Sequence, residues 1–155
     1  MILTIDNFQI TVKNMLAAEE FYDKLMPVLG YNLENKIRIP IPEDDLYVVR
    51  YLHPAMDFAI CSPNRDFKGD TVHGRKPGAI YHIALRAESW QQVDWIYELI
   101  KNIADITEPP RMYTEHGLDY YALYFRDPDG IRFGIIYNKP TERPENFKKK
   151  ENNPV

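Results

Sequence analysis

A chain of 155 residues is long enough to bury a core of its own without a structural metal, and its single cysteine, Cys61, excludes an internal disulfide framework. The formal charge of −4 and the absence of a long uninterrupted apolar run argue against nucleic-acid and membrane binding, which leaves a small molecule as the expected partner. Residues 1–6 do not resemble a secretory leader, so a cytoplasmic location is expected.

Asn7 to Val12 alternate apolar and polar side chains, which predicts a strand with Phe8, Ile10 and Val12 on its core face. Asn14 is placed to cap a helix that buries Leu16, Phe21, Leu25 and Leu29, is disturbed by Pro27 in its last turn and ends at Gly30. A strand from Tyr31 to Lys36, an irregular stretch around Pro40 and Pro42, and a hairpin from Tyr47–Leu52 to Asp57–Cys61 complete a βαβββ unit. Ser62 to Pro77 are polar and read as a linker or a folded-over loop.

The pattern then restarts. Tyr81 to Leu85 alternate again, and Ser89 with Gln92 gives a capping-box signal ahead of a helix carrying Val93, Ile96, Tyr97, Ile100 and Ile103. An irregular segment through Pro109 and Pro110 leads to a hairpin from Tyr120–Phe125 into Ile131–Tyr137. Overlaying Phe8–Val12 on Tyr81–Leu85 brings the two helices into near register, so an internal repeat is the simplest account. The expected organisation is one domain over residues 4–138, with a first module at about 4–61, a linker at 62–78, a second module at about 79–138, and a polar, loose tail at 139–155. Two such modules form an α+β fold with a curved mixed sheet around a cleft and the helices outside.

Asp127-Pro128-Asp129-Gly130 has its own physical reading. Proline presets the turn, Asp127 bonds back to the backbone, and Gly130 takes the left-handed conformation that closes a three-residue loop. That loop pairs Asp127 with Ile131 and sets Tyr124 opposite Gly134, with Arg132 and Ile136 on the same face.

Glu20-Phe21-Tyr22-Asp23 running to Leu29-Gly30-Tyr31, the segment Tyr81–Leu85, and Tyr121–Phe133 around the Asp-Pro-Asp-Gly turn occur in an order that resembles the vicinal-oxygen-chelate (glyoxalase, bleomycin resistance, extradiol dioxygenase) superfamily. The resemblance covers about residues 4–138 and implies a ligand cleft between modules, pairing as a homodimer, and four metal-ligand positions. These correspond to Gln9, Ala59, His82 and Gly134. Only Gln9 and His82 can donate to an ion, and the two carboxylates that hold a hard cation are missing, so no cofactor is expected. Asp57, two residues before Ala59, is the nearest replacement carboxylate.

The expected ligand contacts are Gln9, Thr11, Arg50, Asp57, Tyr120 and Tyr124, with His82 as the candidate catalytic residue. Arg50 would favour an anionic ligand if the turn after it has an even number of residues. His53, His73 and His116 match no ligand motif and read as solvated loop residues. Three functions are compatible with this set. One is an unusual metal-free enzyme acting on a small polar metabolite with His82 as general acid or base; another is a binding protein that sequesters its ligand. The alternative is a divalent-metal-dependent lyase, isomerase or dioxygenase with an atypical ligand set.

Overall fold

The computed structural model describes residues 4–42, 46–116 and 119–138. The expected tail, 139–155, lies outside the described residues. Among the described residues, eight strands and two α-helices follow one another as β1 (Asn7–Thr11), α1 (Met15–Val28), β2 (Lys36–Ile41), β3 (Leu46–Tyr51), β4 (Asp57–Cys61), β5 (His82–Arg86), α2 (Trp90–Ile100), β6 (Asp105–Met112), β7 (Tyr121–Arg126) and β8 (Arg132–Tyr137). They form two mixed four-stranded sheets with the same order, β1-β4-β3-β2 and β5-β8-β7-β6, in which the first and last strand of each βαβββ unit run parallel. The α+β repeat is therefore as the sequence implies, built as two separate sheets.

Two sequence expectations are corrected, both at proline. The first module's second strand lies at Lys36–Ile41 and includes Pro40, whereas Leu33–Asn35 form a short 3-10 turn where a strand was expected. The segment through Pro109 and Pro110 is strand β6, irregular in its pairing with β7 between Ile106 and Arg111. Both strands are sheet edges, the place where a residue without an N–H is tolerated.

Local signals at the helix starts hold. Asn14 Oδ1 accepts from the Ala17 N–H at 3.1 Å, and Ser89 Oγ accepts from the Gln92 N–H at 3.1 Å while Gln92 Oε1 accepts from the Glu88 N–H. Gly30 ends the first helix with φ +98°. Leu16, expected in the core, is 81% exposed, because α1 buries the face carrying Ala18, Phe21, Tyr22, Leu25 and Met26.

Strand pairing also corrects the repeat. Asn7 lies beside Asp57 and Gln9 beside Ala59 in the first sheet; His82 lies beside Arg132 and Ala84 beside Gly134 in the second. The counterpart of His82 is thus Asn7, and the overlay that matched it to Gln9 is displaced by two residues, one full strand period, which keeps the face and changes the position. The helix starts agree, with Met15 matching Trp90.

One apolar core joins the modules. Phe58 of β4 and Phe133 of β8 approach to 6.5 Å between ring centroids, and Tyr22 of α1 lies 6.3 Å from Phe133. Both phenylalanines sit on the opposite side of their strands from Ala59 and Gly134. The helix-bearing faces of the two sheets therefore meet, and the open faces turn away from each other. A polar bond reinforces this junction: the Tyr22 hydroxyl donates to Asp127 Oδ2 at 2.8 Å, and Asp127 Oδ1 accepts from the Asp129 and Ile131 N–H groups. Burial raises the Asp127 pKa, although these donors pull it down.

Candidate functional site

The turn of the second hairpin sets the register the sequence predicts. Gly130 has φ +83°, the Asp127 N–H donates to the Ile131 carbonyl at 3.1 Å, and Tyr124 stands opposite Gly134. A cavity of about 550 Å³ opens on this face. Tyr113, Tyr120 and Tyr124 form its aromatic wall, with the Tyr113 ring perpendicular to Tyr124 at 5.4 Å and the Tyr120 and Tyr124 hydroxyls 3.2 Å apart. His82 and His116 also line it, the latter stacked on Tyr113 and edge-on to Tyr120.

The charged groups of the cavity are held by these rings and by two carboxylates, Glu108 and Glu115, the latter 3.5 Å from Arg111 Nη2. Arg132 stacks over Tyr124 at 4.0 Å and Arg111 over Tyr113 at 3.6 Å. Glu108 accepts from Arg132 Nη2 on one oxygen and from the Tyr113 hydroxyl, at 2.8 Å, on the other. Burial and the bond to Glu108 push the Tyr113 hydroxyl well above the ordinary tyrosine range; burial and the bond to Tyr124 do the same for Tyr120. Both phenols are therefore neutral hydrogen-bonding groups at physiological pH.

The seven residues singled out from sequence fall into two sets. His82, Tyr120 and Tyr124 come together in the cavity just described. Gln9, Thr11, Arg50 and Asp57 lie on the open face of the first module, and none of them lines that cavity. Six residues separate the paired Tyr51 and Phe58, so Arg50 does share the face of Ala59. Its guanidinium is committed to Asp57 at 2.8 Å, and the other Asp57 oxygen accepts from the His53 N–H at 2.9 Å. The two charges thus offset each other on this face. Thr11 Oγ1 is 3.3 Å from Cys61 Sγ, and the remainder of the face is an apolar patch of Val48, Ala59 and Cys61 flanked by Ile39 and Ile41.

Sequence reasoning missed Glu108, Arg111 and Tyr113, which sit on or next to the irregular β6, and dismissed His116 as a solvated loop residue. The proline pair hides the strand period that would have placed them on a face. His53 likewise lines a cavity, a largely apolar one of about 700 Å³ between the modules, together with Phe8, Met26, Phe58, Ile83 and Trp95.

Two βαβββ units, each forming a mixed four-stranded sheet, define a paired-module class of α+β folds. The family model for the Glyoxalase/Bleomycin resistance protein/Dioxygenase superfamily matches residues 4–135, and the chain belongs to that superfamily. No curated protein matches it. Among solved structures it is similar to a protein described as a glyoxalase from Bacillus halodurans (21% identity, covering 86% of this chain and 95% of that one, TM-score 0.67). A second is a glyoxalase/bleomycin resistance protein from Albidiferax ferrireducens T118 (23% identity, 87% and 98%, TM-score 0.60). A third is the fosfomycin resistance protein FosX from Listeria monocytogenes, in complex with Mn(II) and sulfate (19% identity, 92% and 98%, TM-score 0.61). These likenesses support the fold.

Two of the positions at which the superfamily resemblance places ligands for a divalent ion carry no donor here, Ala59 and Gly134. Ala59 offers no donor and is buried. At Gly134 an added Cβ would lie 2.8 Å from Cε1 of Tyr124, so the ring occupies the space a ligating side chain would need. Among the described residues no three His, Cys, Asp or Glu side chains converge into a metal-binding group. No helix among them is long and apolar enough to cross a membrane.

Proposed function

We propose that this protein is a cytoplasmic glyoxalase/bleomycin-resistance-like binder of a small polar metabolite, working without the superfamily's usual ion and either sequestering its ligand or turning it over with His82 as the acid or base. The observation that carries the reading is the tyrosine-walled cavity of about 550 Å³, a volume within the ordinary range for small-molecule sites and lined by convergent hydroxyls, imidazoles and guanidiniums. The opposed open faces favour a homodimer in which the first-module face of one copy covers the second-module face of the other. Gln9, Thr11, the apolar patch around Ala59 and the Arg50–Asp57 pair would then form the far wall.

Native mass spectrometry of the protein as purified tests this. The expected result is a dimer carrying a releasable small molecule, with the molecule lost on Tyr124→Ala and retained after metal chelation. A strictly monomeric chain with no ligand, or one whose ligand leaves with a stoichiometric zinc, nickel or manganese ion, would sink the reading. Substituting His82→Gln separates the two modes: turnover disappears if the imidazole moves a proton, whereas a sequestering protein loses only modest affinity.

A further inference from the structure

Among the described residues only two buried side-chain polar atoms lack a hydrogen-bond partner, Thr107 Oγ1 and Arg132 Nε. Both residues line the same small cavity, about 350 Å³, beside the tyrosine pocket. Its walls come from the linker at His73–Arg75, from Thr107 and Glu108 on β6, and from the second hairpin at Arg126, Gly130 and Arg132. Three guanidiniums thus surround a space with one carboxylate in it, and that carboxylate is already committed, since Glu108 accepts from Arg132 Nη2 and from Tyr113. Arg126 pairs with no carboxylate among the described residues; Asp105 stands across the strand pair from it without an ion pair. Arg75 is held against Tyr81, donating to its hydroxyl at 3.1 Å.

A buried donor left without a partner is costly, and two of them on residues that line one hollow rimmed by three guanidiniums point to an acceptor missing beside it. Nothing apolar or cationic would relieve both. A compact oxyanion would: one oxygen accepts from Arg132 Nε, a second from the Thr107 hydroxyl, and Arg126 and Arg75 balance the charge from the mouth. The Arg132 plane is fixed for this by its stacking on Tyr124 and its bond to Glu108. Tyr81, Glu108 and Arg132 are walls of this cavity and of the tyrosine pocket alike, so the two spaces adjoin.

We propose that the Thr107–Arg126–Arg132 cavity binds the anionic head, a carboxylate or a phosphoryl group, of a ligand whose body lies against Tyr113, Tyr120 and Tyr124. The head site stands on its own observations; the placement of the body rests on the function proposed above.

Titration calorimetry on the full chain with inorganic phosphate, phenyl phosphate, benzoate and uncharged phenol tests both parts. The expected result is binding of phenyl phosphate or benzoate, none of phenol, and a loss of about ten-fold or more in affinity in Thr107→Val and in Arg126→Gln, two substitutions outside the shared core. Circular dichroism melts confirm that these variants are folded. Whether phenyl phosphate or benzoate binds identifies the head. Failure of every anion to bind, or binding that neither variant weakens, overturns the proposal. If inorganic phosphate binds and both variants weaken it, yet the phenyl group adds nothing and Tyr124→Ala has no effect, the anion site stands and the tyrosine-pocket reading falls. If Tyr124→Ala abolishes binding while the two variants do not, the reverse holds.

Discussion

A methyl group added at Gly134 would lie 2.8 Å from Cε1 and 3.1 Å from Cδ1 of Tyr124, whose own ring is pinned by Arg132 above it and by the hydroxyl of Tyr120. Gly134→Ala should therefore destabilise the fold by about 1–3 kcal/mol through overpacking. Combining it with Tyr124→Ala should recover part of that loss, a non-additivity read by a denaturation double-mutant cycle. Additive losses would show that ring and glycine do not constrain each other. The Tyr124–Gly134 opposition was legible in the sequence because a three-residue loop closed by Gly130 admits one register. Glu108 and Tyr113 were not, because Pro109 and Pro110 break the alternation that assigns side chains to faces. The pairing of Arg50 with Asp57 was also hidden: alternation puts both on one face but does not say that they neutralise each other.

At the scale of elements, the second hairpin turn does more than set register. Asp127 is 5% exposed and gathers the Tyr22 hydroxyl of the first module together with two N–H groups of its own turn. Asp127→Ala would strand all three donors, and a loss of about 3 kcal/mol or more is expected in equilibrium unfolding. Asp127→Asn, which keeps an acceptor for the turn, should cost clearly less. Equal losses would mean that the carboxylate's charge, and not its acceptor geometry, holds the turn. The turn itself could be read from four residues. Its bond to a helix more than a hundred positions earlier could not, since nothing local to Asp127 names a distant partner.

For the whole molecule, the tyrosines make a prediction about alkali. Tyr22, Tyr51, Tyr113, Tyr120 and Tyr121 all have raised pKa values, with burial the leading cause in each, and Tyr121, bonded to Asp94, is pushed up to about 12. Groups held neutral by the fold contribute stability that is complete below the unfolded tyrosine pKa of about 10 and is lost as pH rises through the folded values. Absorbance at 295 nm should therefore show a delayed fraction of tyrosine ionisation above pH 10 that coincides with loss of the far-ultraviolet signal. Simple ionisation of every tyrosine near pH 10 with the fold intact would contradict this. At the same scale the repeat was readable from its periods, whereas the meeting of the helix-bearing faces was not: Tyr22, Phe58 and Phe133 announce themselves as buried without saying against what. The edge prolines carry a last consequence. Pro40 in β2 and the Pro109–Pro110 pair in β6 remove backbone donors from one margin of each sheet, so an incoming strand finds an interrupted ladder there. The opposite margins, β1 and β5, contain no proline and keep their full set of donors and acceptors. Each sheet is thus guarded against fibre-like growth on its proline-bearing margin, and a strand added from another chain, in assembly or in aggregation, finds the more complete ladder at β1 or β5.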